Sequence, residues 1–134
     1  MNKIVFNGVE YFFYQENLFN DNLPLIKFGA QTITTKTAKK HLDNIIFITS
    51  TLINAGAVVD DKLEKYSKAL DVFNAIRAIF SGKPLKITAE MVKLAIEVVQ
   101  EIGLMEEKDP NLRMGIKSAA FAAKLFIDVV SRDE

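Results

Sequence analysis

The N-terminal part of the chain has the residue pattern of β-strands. β-Branched and aromatic residues fill Lys3–Phe6 and Val9–Tyr14, and the Asn7-Gly8 dipeptide between them favours a type I′ hairpin turn. The stretch Leu25–Thr34 has a similar composition and follows an Asn-rich linker. Since an isolated two-stranded hairpin is only marginally stable in water, we predict an N-terminal antiparallel hairpin of two strands, or of three if Leu25–Thr34 joins it.

Beyond Thr37 the hydrophobic residues recur with the 3.6-residue period of amphipathic helices. The first helix is predicted to end before Gly56, because glycine suits the left-handed position that follows many helices. The second is predicted to have an acidic start at Asp60-Asp61, where Asp61 and Glu64 resemble a capping box, and to stop at Ser81–Pro84. Its predicted core stripe is Leu63, Tyr66, Leu70, Phe73, Ile76 and Phe80.

Two further helices have clear starting signals. The third is predicted to open with Thr88 as N-cap and to end at Gly103, and the last begins at Asp109-Pro110, an N-cap followed by proline. The short connections favour antiparallel packing of neighbouring helices. We therefore predict a single α+β domain, mainly α, over residues 1–134, with a β-rich part at 1–35 and about four helices packed as a bundle over 36–134.

Composition removes several classes of function. The 134 residues include one His and no Cys, which excludes disulfides, thiol nucleophiles and cysteine-based zinc sites. The chain contains no dinucleotide-binding, Walker, nucleophile-elbow or His-Glu-x-x-His motif. We therefore expect a non-enzymatic protein with no catalytic residues, metal or cofactor. The lack of a signal-peptide core and of an apolar stretch of roughly 20 residues predicts a cytoplasmic protein without a membrane span.

The single histidine, His41, is the first residue to consider for catalysis or ligand binding. Asp43 is two positions away and so lies on a different helical face, which favours a partly exposed surface imidazole without a chemical role. An alternative is a small-ligand pocket between sheet and helices, with His41, Tyr11, Tyr14 and Arg113 as its polar residues.

A pair of carboxylates, Glu97 and Glu101, is spaced to share one face of the third helix. A paired-carboxylate metal site needs further ligands from another helix, and no matching Glu-rich helix is present. We interpret this pair as part of a solvated surface.

The segment that follows Pro110 is apolar on nearly all sides, since only Arg113, Lys117, Lys124 and Asp128 form a polar line. Such a helix is buried on two sides, either as the central core helix or between two subunits, and the sequence leaves both alternatives open. Strand alternation also sends aromatic residues to both faces of the hairpin. The residues predicted to serve self-association or partner binding are Met114, Ser118, Phe121, Leu125, Val129, Tyr11 and Phe13.

The formal net charge is zero, but positive and negative residues are unevenly distributed along the chain. Residues 27–56 carry four bases against one acid, whereas 87–134 carry six bases against nine acids. If the lysines of the middle segments converge, they form a modest basic face able to contact nucleic acid. The residues of that hypothetical contact are Lys27, Lys36, Lys39, Lys40, Lys62 and Lys65.

The opening Asn2-Lys3-Ile4-Val5-Phe6-Asn7-Gly8-Val9-Glu10-Tyr11 resembles the start of some phage tail-assembly chaperones, which are small helical binding proteins. The resemblance covers about a tenth of the chain, and no residue role is carried over from it. It implies an assembly chaperone or inhibitor as one alternative.

The leading hypothesis from the sequence is a non-enzymatic interaction or accessory protein that forms homo-oligomers and acts by binding another macromolecule, with a protein as the expected partner. A nucleic-acid-associated accessory protein is the second alternative.

Overall fold

The computed structural model describes residues 2–6, 9–28, 31–83, 87–105 and 110–133, with side chains described at 12–14, 16–27, 32–83, 87–105 and 116–128. The predicted fold class is confirmed: an antiparallel sheet precedes four helices in an α+β arrangement that is mainly α. The predicted turn at Asn7-Gly8 and the predicted N-cap Asp109 lie outside the described residues.

The sheet is an antiparallel meander of four strands in the order β1-β2-β3-β4. The strands are β1 Asn2–Phe6, β2 Val9–Phe13, β3 Pro24–Phe28 and β4 Gln31–Thr34. The predicted pairing of β1 with β2 is confirmed. The stretch Leu25–Thr34 joins the sheet as predicted, because β3 pairs with β2. It also supplies a fourth strand that was not predicted, since Phe28 of β3 pairs with Gln31 of β4.

One row of side chains crosses the sheet and enters the core. Phe13 of β2 pairs with Ile26 of β3, which in turn pairs with Ile33 of β4, and all three side chains are buried. Lys27 and Thr32, which occupy the alternate positions of β3 and β4, are exposed. The period-2 alternation therefore places one face of the sheet on the helices and the other toward solvent.

The first helix, α1, spans Thr35–Asn54 and begins two residues before the predicted start. Thr34 is its N-cap, and the Thr34 hydroxyl accepts a hydrogen bond of 3.2 Å from the backbone N–H of Thr37. Gly56, with φ of 70°, follows the end of α1 as predicted. In the connection between α1 and α2 that follows, the side chain of Val58 is buried in the core.

The second helix, α2, spans Asp61–Ile79. The predicted capping box was wrong: the N-cap is Asp60, which has φ of 57° and makes no side-chain capping hydrogen bond. Leu63 of the predicted core stripe is exposed and Leu70 is half-buried. Because α1 and α3 pack against different sides of α2, its buried face is broader than one stripe. The buried residues of α2 are Tyr66, Ala69, Val72, Phe73, Ile76 and Ile79.

The third helix, α3, spans Ala89–Met105, and α4 spans Pro110–Asp133. Thr88 caps α3 as predicted, since its hydroxyl accepts from the backbone N–H of Met91 at 3.2 Å. Gly103 was predicted to end this helix and does not. It lacks the positive φ of a terminating glycine and lies buried inside α3, which continues for two residues beyond it.

The helices form a ring in which α1 contacts α2, α2 contacts α3, α3 contacts α4, and α4 returns beside α1. The sheet packs where α1 begins and where Phe80 and Phe126, near the ends of α2 and α4, meet. We call this the sheet end of the bundle. The opposite end, formed by the α1–α2 connection and the end of α3, is the distal end.

Candidate functional site

Four large apolar side chains are exposed at the distal end. Val59 and Leu63, from the start of α2, are 60% and 39% exposed, and Leu104 and Met105, from the end of α3, are 68% and 51% exposed. A salt bridge between Lys65 Nζ and Glu101 Oε1, 3.0 Å long, joins the same parts of α2 and α3. Val59, Leu63, Leu104 and Met105 therefore occupy one end of the bundle, and we call them the distal patch.

The distal patch was not predicted from the sequence, because its residues were assigned to other places. Leu63 was assigned to the core, and Leu104 and Met105 were placed after the predicted end of α3. The available signal was a pair of adjacent large apolar residues at a helix end, where a helix commonly presents polar side chains to water. Val59 is a further apolar residue, and it lies in the α1–α2 connection. The neighbouring Val58 already provides the buried contact of that connection, so Val59 is left exposed.

The rim of the distal patch is charged with both signs. Asp60, Asp61 and Lys62 are exposed next to Val59 and Leu63. One turn into the bundle, Lys65 Nζ lies 3.3 Å from Glu97 Oε2 as well as 3.0 Å from Glu101 Oε1. The predicted carboxylate pair is therefore joined to α2 by a lysine.

This ion cluster shifts the pKa values of its members. The hydrogen bond to Glu101 is the main cause that raises the pKa of Lys65 above its ordinary 10.5. Burial would raise the pKa of Glu101, but the hydrogen bond from Lys65 and the interactions with Tyr66 and the lysine charges lower it below 4.5. The Lys65–Glu101 pair is thus favoured in its charged form at neutral pH.

Tyr66 lies beside the ion cluster and is fully buried. Burial, with a smaller contribution from Glu101, raises the pKa of Tyr66 to about 12. Among the described residues, neither the Tyr66 hydroxyl nor Glu101 Oε2 has a partner in hydrogen-bond geometry. Glu101 influences the hydroxyl electrostatically without forming a well-aligned bond to it. This arrangement keeps Tyr66 neutral and gives it the role of a core residue.

Two residues predicted for self-association, Phe13 and Leu125, belong to the core of one chain. Phe13 and Leu125 are each 1% exposed, so their side chains have no surface to offer a partner. Ser118 and Phe121 are half-buried. The side chains of Tyr11, Met114 and Val129 lie outside the described residues, and the self-association of these residues stays a prediction.

The apolar character of α4 is explained within a single chain. This helix contacts α1, α3 and the first two strands. Its buried side chains are Ile116, Ala119, Ala122, Ala123, Leu125, Phe126 and Ile127. The burial of the side chains described at 116–128 needs no second subunit, and a contact of α4 with another subunit stays a prediction.

The six predicted nucleic-acid lysines do not form one surface. Lys39, near the start of α1, donates to Asp21 at 2.6 Å and lies 5.9 Å from the centre of the Phe80 ring. Lys65 is engaged by Glu97 and Glu101 at the distal end. A 20-residue helix such as α1 is about 30 Å long, and it separates these two ends. The exposed lysines of the set are Lys27, Lys36, Lys40 and Lys62.

The residues of the small-ligand alternative do not assemble into a described pocket. His41 is half-buried, and burial is the main cause that lowers its pKa. Asp43 forms a hydrogen bond of 2.8 Å with Arg77 and so does not orient the imidazole. Tyr14 is half-buried, while the side chains of Tyr11 and Arg113 lie outside the described residues. In the described part of the chain, no three His, Asp or Glu side chains cluster closely enough to hold a metal ion.

A groove of about 740 Å³ runs between α3 and α4. Val92 and Ile127 form its buried floor and Ile96 is half-buried along it. Lys93 and Lys124 contribute two positive charges to its walls, and two carboxylates contribute an equal negative charge. Its volume falls in the range of ligand-binding clefts, roughly 300–1,000 Å³. Its apolar floor offers a contact surface for an apolar side chain. The other lining residues are Ala89, Glu97, Gln100 and Asp128.

No protein-family model, no curated protein and no solved structure matches this chain. Within the described residues, every helix is too short or too polar to span a lipid bilayer.

Proposed function

We propose that this protein acts without catalysis, by binding another protein through the distal patch. The observation that carries the proposal is the collection of Val59, Leu63, Leu104 and Met105 at one end of the bundle. Exposed apolar side chains that gather in one patch, bordered by polar residues, are typical of protein interaction sites, whereas scattered ones need no explanation.

The composition of the distal patch suits a protein partner. Its apolar centre offers methionine and leucine side chains, and methionine adapts its shape to different partner surfaces. Asp60, Asp61 and Lys62 provide a rim that can select the orientation of the partner. The patch carries few groups that could contact phosphates, because Lys65 is already engaged by two carboxylates. A protein surface is therefore a better partner than nucleic acid.

The test uses three forms of the full chain: the natural sequence, a patch variant with Leu104→Ser and Met105→Ser, and a control with Phe47→Ser. Phe47 is 71% exposed on α1, away from the patch, so the control removes a comparable exposed apolar side chain. Urea unfolding first establishes that all three forms are folded. Proteins retained from cells by the natural and control forms, but lost from the patch variant, are then purified and titrated calorimetrically.

We expect a purified partner to bind the natural and control forms equally and the patch variant at least roughly tenfold more weakly, as for the loss of a central anchor residue. The proposal is overturned if the purified partner binds the patch variant and the natural form with the same Kd.

A further inference from the structure

Few side chains of this protein react readily with peroxides. The chain contains no Cys and no Trp, so its four Met residues carry all of its sulfur atoms. A methionine thioether takes up one oxygen atom from a peroxide and becomes a sulfoxide, which is polar and can be reduced again. Peroxide is therefore expected to act on this protein through methionine.

The two methionines whose side chains the structure describes differ in exposure, although both belong to α3. Met91, in the first turn of the helix, is half-buried and packs against the hydrophobic core. Met105, the last residue of the helix, is 51% exposed and belongs to the distal patch. A peroxide must reach the sulfur atom in order to react with it. Of the two, Met105 is therefore the more readily oxidised.

The other three members of the distal patch are aliphatic and do not react in this way. They are Val59, Leu63 and Leu104. Met105 is therefore the one side chain of the patch whose polarity can change without a change in sequence. A sulfoxide oxygen accepts hydrogen bonds from water, and covering it with an apolar surface costs free energy unless a new donor replaces the water.

The packing of this end of α3 depends mainly on residues other than Met105. Ile102 is fully buried in the core. The salt bridge between Lys65 and Glu101, 3.0 Å long, joins α3 to α2 one turn before the helix ends. Half of the Met105 side chain already faces water, where a sulfoxide oxygen can be hydrated. Oxidation there changes the surface while the contacts that hold the helix remain.

We propose that Met105 is a site of reversible oxidation, which switches the distal patch between an apolar and a polar form. In the forward step the sulfur lone pair attacks one oxygen of hydrogen peroxide, the O–O bond breaks, and the other oxygen leaves as water. The sulfur loses two electrons and the peroxide gains them. In the reverse step a methionine sulfoxide reductase passes two electrons from a dithiol to the sulfoxide. The dithiol becomes a disulfide, and the oxygen leaves as water.

The effect of this switch on a partner rests on the proposed function of the distal patch. A sulfoxide in the apolar centre of the patch must lose its water when a partner covers it, so the oxidised protein binds more weakly. A bound partner also covers the Met105 sulfur. Oxidation therefore acts on the free protein, and the complex is protected.

The modification itself is tested with hydrogen peroxide on the full chain. Trypsin cleaves after lysine and separates the two methionines, because residues 87–93 contain only Met91 and residues 94–108 contain only Met105. Mass spectrometry of these peptides at increasing times gives the two oxidation rates. We expect Met105 to be oxidised several times faster than Met91. Equal rates, or faster oxidation of Met91, overturn the proposal.

The change of surface is measured by retention on a hydrophobic-interaction column, which requires no partner. The forms compared are the natural protein, Met105→Leu and the control Met91→Leu, and urea unfolding establishes that each is folded before and after peroxide. We expect oxidation to make the natural and control forms elute earlier, with no change in their urea midpoints. Methionine sulfoxide reductases with dithiothreitol should restore their retention.

We expect Met105→Leu to lose most of the retention change that peroxide causes in the natural protein. A change of the same size in this variant overturns the proposal. A urea midpoint that falls on oxidation of the natural protein, but not of Met105→Leu, also overturns it, because oxidation of Met105 would then damage the fold.

A partner purified through the distal patch provides the last test, in which each form is compared with its own untreated sample. We expect peroxide to weaken binding of the natural protein at least roughly tenfold, as for the loss of an anchor residue, and to affect Met105→Leu much less. An unchanged Kd for the oxidised natural protein overturns the switch and leaves binding at the patch intact. Binding itself is measured separately with the Leu104→Ser and Met105→Ser variant.

Discussion

The ring of Phe13 meets the ring of Phe126 edge-on, with centroids 5.3 Å apart and an interplanar angle of 69°. Phe126 also stacks against Phe80 at 6.1 Å. One side chain of α4 thus connects the sheet to the end of α2, and all three rings are buried. Edge-to-face aromatic pairs add about 0.5–1.5 kcal/mol beyond the area that they bury.

Phe126→Ala is expected to lower the free energy of unfolding by about 3–5 kcal/mol, because it removes a large buried side chain and leaves a cavity between sheet and helices. Urea unfolding of the natural and variant proteins measures the change. Phe47→Ala, at an exposed position, is the matched control and should change stability by less than about 0.5 kcal/mol. Equal losses from the two variants would contradict the packing described for Phe126.

The ion pair between Lys65 and Glu101 makes a pH-dependent contribution to stability. The pKa of Glu101 is lower in the folded protein than its ordinary 4.5, so its contribution is present above that pH and is lost as pH falls through the folded value. The pKa of Lys65 is raised above 10.5, so its contribution is present below that pH and is lost as pH rises through the folded value.

Lys65→Met should therefore reduce stability near neutral pH more than in acid. The measurement is the urea midpoint of natural and variant proteins across about pH 3 to pH 7. The difference between them is expected to shrink as pH falls below 4.5, the ordinary pKa of Glu101. Lys68→Met, at a more exposed pair with Glu64, serves as control and should show a smaller pH dependence. A difference for Lys65→Met that does not vary with pH would show that the ion pair does not stabilise the fold.

Tyr66→Phe removes a buried hydroxyl that has no well-aligned hydrogen-bond partner among the described residues. Because no bond is broken and no cavity larger than an oxygen atom is left, we expect stability to stay within about 1 kcal/mol of the natural protein or to increase. Alkaline titration of tyrosine absorbance provides a second readout. The step near pH 12 should disappear in the variant, and its persistence would assign that step to another tyrosine.

Asp60 precedes α2 with a positive φ of 57° and makes no side-chain capping bond. A non-glycine residue in such a conformation carries strain of about 1–3 kcal/mol, which glycine avoids. Asp60→Gly should therefore be more stable than Asp60→Ala by at least about 1 kcal/mol. Thermal and urea unfolding of the two variants measure this order, and a more stable alanine variant would argue against the strained backbone.

The helices and strands could be predicted from the sequence better than the candidate site. Local sequence signals mark where an element starts and ends, but they do not show which other elements pack around it. The Asn7-Gly8 dipeptide, Gly56 and Thr88 placed the first hairpin, the end of α1 and the start of α3. The helix end predicted at Gly103 was wrong because glycine also occurs inside buried helices. From the local sequence alone, such a glycine looks the same as one that ends a helix. Leu63 fits the period of its helix, yet it is 39% exposed, because burial depends on which neighbouring elements cover each face of the helix.

The same limit applies to the candidate binding surfaces. The six lysines were grouped because they lie near one another in the sequence. In the structure α1 lies between them, so that some are at the sheet end of the bundle and others at the distal end. Only the packed helices reveal that the apolar groove lies between α3 and α4.

The return of α4 beside α1 also has a consequence for protein synthesis. A ribosome makes the sheet and the first three helices before α4, yet α4 supplies the buried side chains that cover Phe13 and Phe80. Until Phe126 has left the exit tunnel, the nascent chain must expose those rings to solvent, chaperones and proteases. The nascent polypeptide is therefore more prone to aggregate before α4 has packed against the sheet and α2 than afterwards.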